Sequence, residues 1–124
     1  MSTTYFISGH RDLTEQEFEL HYIPAILVAM VGRDAKFVIG DCAGADKMAQ
    51  DFLMQQDYPR DQVKVFHMFT APRNNAGFPT EGGFKNDIER DTAMMMCSHE
   101  DIAWVRQGKE ASGTAQNLER RNMK

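Results

Sequence analysis

The sequence predicts an α/β domain: a small, mainly parallel sheet of about four strands, enclosed between helices as a three-layer sandwich. Three observations carry that expectation. Short apolar runs rich in Val, Ile, Phe and Tyr alternate along the chain with longer segments of helical periodicity. The runs are nearly continuous in apolar character, as in strands buried on both faces. Parallel neighbours of this kind need crossover connections, usually helices, so the architecture is Rossmann-like. Glycine-rich or polar stretches follow the strands, where an open parallel sheet gathers its ligand-binding loops.

The strands are expected at 4–8 (TYFIS), 36–40 (KFVIG), 63–69 (VKVFHMF) and 101–105 (DIAWV). Between the first two, Thr14 and Glu17 have the spacing of a capping box, in which each side chain satisfies a backbone N–H at a helix start. Pro24 lacks an N–H and should kink or restart that helix, leaving Ile23, Ile26, Leu27 and Met30 to face the core. A second helix has its apolar stripe at Ala45, Met48, Ala49, Phe52 and Leu53, with Asp46, Lys47, Gln50 and Asp51 turned away. A third is expected over 84–96, with Phe84, Ile88, Thr92 and Met95 on one side, and a short polar one from Ser112 onward.

No repeat or linker-like tract divides the chain, so residues 1–124 read as one domain, a common size for a single core. Its 42% hydrophobic and 26% charged residues are those of an ordinary globular protein. A net charge of -4 argues against a sequence-independent grip on a DNA or RNA duplex, which needs clustered Lys and Arg. Cys42 and Cys97 lack metal-binding spacing, and neither a metal nor a cofactor is expected. The opening MSTTYFISGHRD has no basic segment leading into a long apolar stretch, and no run approaches membrane-spanning length. A cytoplasmic protein without membrane contact is therefore expected.

Four loops could carry chemistry: SGHRDLT (8–14), GDCAGAD (40–46), the segment 70–87 and RQGKEASGT (106–114). In GDCAGAD a glycine turn opens a helix, so its backbone can approach a ligand closely while first-turn N–H groups favour an anion. The same features would also serve a plain tight turn and helix start. Asp41 and Asp46 would repel a phosphate unless one of them faces a sugar hydroxyl or a cation. EASGT offers a second anion site, with Ser112 and Thr114 as hydroxyl donors around Gly113. Arg11 and Arg90 are candidate phosphate contacts, and His10 sits in a polar loop just past the first strand. The chain lacks G-x-G-x-x-G after its first strand and G-x-x-x-x-G-K-[ST], which sets aside dinucleotide dehydrogenases and Walker-type NTPases.

FISGHRDLT, VIGDCAGADKMAQDFL, IERDTAMM and DIAWVRQGKEASGT occur in an order that resembles the SLOG superfamily, Rossmann-like proteins related to nucleoside 2-deoxyribosyltransferases and Lonely Guy type phosphoribohydrolases. The resemblance implies a nucleotide- or nucleoside-derived ligand. It implies that Ser8, Gly9 and His10 line the nucleotide or sugar site. Gly40, Gly44, Ala45 and Asp46 would form a second wall, and Ser112, Gly113 and Thr114, aided by Arg90, would hold a 5'-phosphate. Where the phosphoribohydrolases carry G-G-x-G-T-x-x-E, this chain has Asn117 in place of the glutamate. Asp46, Asp87 and Glu110, with Asp91 nearby, are then the candidate catalytic carboxylates for cleaving or transferring an N-glycosidic bond. The alternative is a non-catalytic sensor of a nucleotide-derived ligand. The small sheet implies a homo-oligomer, with the long 70–83 loop reaching a neighbour's site.

Overall fold

The computed structural model describes residues 2–123. Its sheet is parallel throughout and contains β1 (Thr4–Ile7), β2 (Lys36–Ile39), β3 (Val63–Met68), β4 (Thr80–Phe84) and β5 (Glu100–Ile102), in the order β4-β3-β2-β1-β5. The expected count of about four strands is corrected to five. The additional strand, TEGGF, has no apolar run to announce it. It lies at an edge with little of its surface buried, so backbone pairing to β3 defines it rather than side-chain burial. Gly82 is required there by close approach, because a Cβ would fall 2.2 Å from the His67 ring.

Helices α1 (Glu15–His21), α2 (Ile23–Met30) and α3 (Ala45–Gln55) pack with the sheet in the main core, around Ile7, Tyr22, Ile26, Phe37, Ile39 and Leu53. The Thr14–Glu17 capping box forms as expected. The break between α1 and α2 falls at Tyr22, and Pro24 occupies the first turn of α2, where its missing N–H costs nothing. Ile26 and Met30 face inward as expected, but Leu27 is exposed and Ala29 is buried in its stead. On the other sheet face, α4 (Asp87–Met96) covers Phe6, Val38 and Phe66 through Met94 and Met95. Helix α5 (Gly113–Met123) packs beside α4.

Two further helix faces differ from expectation. Helix α4 begins at Asp87 because Phe84 belongs to β4, and Asn86 caps it by accepting from Glu89 N–H at 2.8 Å. Its buried side carries Arg90, Met94 and Met95, while Ile88 points to solvent. In α3, Asp46 and Gln50 are buried rather than turned away. Gln50 explains why: its amide donates to the carbonyl of Gly40 at 2.9 Å and accepts from Ala76 N–H at 2.9 Å. The 69–79 connection thus folds onto α3, held through Asn74 and Ala76.

The strand order reverses beside β1, with β2 on one side and β5 on the other. That reversal opens the C-terminal edge of the sheet at the loops after β1 and β5.

Candidate functional site

A cavity of about 430 Å³ lies at that edge, within the range of small-molecule sites. The loop after β1 contributes Ser8, Gly9, His10, Arg11 and Asp12. Cys42 and Asp46 come from the β2–α3 junction, Asp87, Arg90 and Asp91 from α4, and Lys109, Ser112, Gly113, Thr114 and Asn117 from the approach to α5 and its first turns. Residues distant in sequence therefore converge on one space.

The sharp turn into α3 is built on Gly44, whose φ is +73°. A Cβ there would lie 2.3 Å from the Arg11 carbonyl oxygen and 2.4 Å from that of His10. The His10 carbonyl also accepts from Ala45 N–H at 3.1 Å, so the first turn of α3 spends a donor on the neighbouring loop instead of a ligand. Gly44→Ala combines backbone strain with a steric clash and is expected to lower unfolding stability by roughly 1–3 kcal/mol. Urea denaturation against the unmodified chain measures it; an unchanged midpoint would reject the tight loop-on-loop packing. Gly40 and Ala45 form part of the wall behind the cavity and do not line it. At Gly40 a Cβ would fall 2.5 Å from Asp46 Oδ2.

A dense ion network holds the floor. Asp41 is 1% exposed and takes Arg90 Nη1 at 2.7 Å, Arg73 Nη2 at 2.9 Å and the Arg73 backbone N–H at 2.8 Å. Burial alone would raise its carboxyl pKa, but hydrogen bonds from Arg73 and the charges of Arg73 and Arg90 hold it below the usual range. Of the two loop aspartates expected to meet a sugar or a cation, Asp41 thus takes the protein's own cations. Arg90 is 4% exposed and also donates to Asp91 Oδ1 through Nε at 3.0 Å and Nη2 at 2.8 Å. The guanidinium expected to touch phosphate lines the cavity and is shared among carboxylates. Arg11 reaches across to Asp87 at 2.7 Å, and Asp87 also meets Arg73 at 3.1 Å.

Asp46 has a different environment. It is 6% exposed, lines the cavity and accepts the Cys42 N–H at 3.1 Å. Burial pushes its pKa up to about 7; Arg90 and the Cys42 N–H oppose the rise, while Asp91 and Asp41 add to it. It is the lining carboxyl poised to exchange a proton near neutrality. Glu110, the third candidate, is exposed, stays outside the lining and accepts from Gly108 N–H in its own turn at 3.3 Å.

At the opposite wall, Ser112 caps α5 by accepting from Ala115 N–H at 3.2 Å. Among the described residues, Ser8 Oγ is the one buried side-chain polar atom without a hydrogen-bond partner, and it belongs to the cavity lining. An unmet hydroxyl at 6% exposure is costly unless a water or a ligand supplies its partner. His10 is held as a neutral ring. Its Nε2 accepts the Arg106 backbone N–H at 2.8 Å, which places the ring proton on Nδ1, and burial followed by the Arg106 charge lowers its pKa. The Arg106 side chain grips Glu17 with a fork of 2.7 and 2.9 Å, fixing the loop that leads to α5.

The sequence reading did not give Arg73, Asp12, Lys109 or Cys42 a role in the site. The Arg73 signal was absent because its position depends on how the connection to β4 folds. Asn117, standing where a glutamate was expected, lines the cavity and donates to Asp91 Oδ2 at 3.1 Å. Among the described residues no group of His, Cys, Asp and Glu is arranged to hold a metal ion. Nor does any described helix have the length and apolarity to cross a membrane. Comparison with protein-family models, with curated proteins and with solved structures finds no match to this chain.

Proposed function

We propose that this is a nucleotide-binding protein of the SLOG type whose cavity takes a nucleoside 5'-monophosphate and hydrolyses its N-glycosidic bond. The observation that carries the reading is the unpartnered Ser8 hydroxyl in a cavity also lined by Ser112, Gly113 and Thr114 at the start of α5. Helix N-terminal N–H groups and hydroxyl donors suit the oxygens of a phosphate. The charge of the lining favours a single phosphate. Arg90 and Arg11 are already paired with carboxylates, Lys109 makes no ion pair with a carboxylate among the described residues, and Asp12, Asp87 and Asp91 would repel a longer polyphosphate.

In hydrolysis the bond between the sugar C1' and the base nitrogen breaks as the sugar becomes cationic. Asp46, protonated below about pH 7, gives its proton to the departing nitrogen. The resulting carboxylate then takes a proton from the water whose oxygen bonds to C1', which regenerates the acid. Asp87 and Asp91 supply negative charge beside the cationic sugar. Free base and sugar phosphate are the products. The reading places the protein in the cytoplasm and treats it as a homo-oligomer.

Incubation with a panel of nucleoside 5'-monophosphates should release free base, detected by chromatography. Calorimetry should show tighter binding of monophosphates than of triphosphates, and Ser8→Val or Thr114→Val should weaken monophosphate binding about tenfold. Equal binding by both variants would remove the phosphate from this wall. A second reading, a sensor without turnover, is favoured by Asn117, whose amide brings no charge to a sugar cation. Binding without base release would select it.

A further inference from the structure

Helices α1 and α2 carry an apolar surface that the fold leaves uncovered. From Tyr22 to Gly32 no residue is charged. Ile26, Ala29 and Met30 turn inward, whereas Leu20, Val28 and Val31 are 71, 74 and 77% exposed, and Leu27, Pro24 and Ala25 are exposed beside them. Pro24, Ala25, Leu27 and Val28 share one face of α2, with Leu20 of α1 before the break at Tyr22 and Val31 at the C-cap of α2 at its two ends. The stripe exposes on the order of 500 Å², toward the upper end of the largest apolar patch on an ordinary monomer.

We propose that this stripe is a two-fold, antiparallel interface between two copies of the chain. Three features favour a second copy over other occupants. Two such faces together remove on the order of 1,000 Å² from water, the area at which specific association begins. The chain carries a net charge of -4, so a copy approaching most faces meets repulsion, whereas this stripe is uncharged. Its ends differ in charge: the exposed Glu15 and Glu19 precede it, whereas Arg33, held against Asp57 and Tyr58, and the exposed Asp34 follow it and offset each other. An antiparallel two-fold keeps the acidic ends of the two copies apart, which a parallel one would bring together. The acidic flank of Glu15 and Glu19 also disfavours an anionic lipid surface, which selects stripes bordered by Lys and Arg. The stripe contributes none of the cavity lining. The inference specifies the homo-oligomer of the proposed function without depending on the ligand, so association and base release fail or succeed separately.

Sedimentation velocity on the full chain over a hundredfold range of concentration should show a dimer that dissociates on dilution. Val28→Glu and Val31→Glu each bury a carboxylate at the interface and should weaken dimerisation at least about a hundredfold. Because both positions are exposed in one copy, their thermal midpoints should match that of the unmodified chain when all are measured as monomers. A monomer at every concentration, or a dimer unaffected by both substitutions, would overturn the proposal. So would a monomeric chain that co-sediments with phosphatidylcholine–phosphatidylserine vesicles, which would assign the stripe to lipid.

Discussion

Asp46→Asn is expected to abolish base release while leaving nucleotide binding nearly intact. The amide keeps an oxygen for the Cys42 N–H but cannot give or take a proton. Loss of a general acid-base group typically costs about 10² to 10⁴ in rate, so kcat should fall with little change in ligand affinity. For the unmodified chain, kcat/KM should decline as pH rises above about 7, because the acid must be protonated to act. A variant that retains turnover would remove Asp46 from the chemistry.

The same group links stability to pH. Its folded pKa of about 7 lies above the ordinary 3.8, so its favourable contribution is complete below pH 3.8 and is lost as pH rises through about 7. The full shift corresponds to something on the order of 4 kcal/mol. Asp41 and Asp87 act in the opposite sense. Their folded pKa values are depressed, so their contributions are lost as pH falls. Comparing Asp46→Asn with the unmodified chain by urea unfolding at pH 4 and pH 8 isolates the Asp46 contribution. The variant should gain stability relative to the parent as pH rises; a constant difference would mean that the buried carboxyl is not held neutral.

Arg90→Ala should destabilise the domain by roughly 3–5 kcal/mol, as expected when one member of a buried ion pair is removed. Asp41 would keep Arg73, but Asp91 would lose both guanidinium contacts. Asp91 would then stand without its counter-charge beside the buried floor. Arg90→Lys should recover little of the loss, because one ammonium cannot reproduce donation to Asp41 and Asp91 from different edges of the same planar group. Urea unfolding of both variants measures the effect. Near-full rescue by lysine would show that charge alone, not the fork, holds the network.

Much of the fold was legible in the chain because burial leaves periodic traces. The apolar runs around Phe6, Val38 and Val65 marked three strands, and the Thr14–Glu17 pair marked a helix start. Strand β4 left no such trace, since an exposed edge strand is defined by its partner's backbone rather than by apolar side chains. The stripe assigned to α4 failed for a related reason. Arg90, polar by type, is buried because carboxylates from α4 and the β2 loop surround it, whereas Ile88, apolar by type, faces solvent.

For the site, the sequence alone determined which kinds of groups were present and, through its strand-loop-helix order, which loops stood at one end of the sheet. Tertiary structure decided their assignments: Asp41 to two arginines, Glu110 to its own turn, the Ser8 hydroxyl to the cavity with no partner among the described residues, and Asp46 to a buried wall. The physical reason is range. Helix caps, turns and strand periodicity arise among neighbours in the chain, but desolvation and ion pairing depend on groups separated by tens of residues and joined only when the loops pack together.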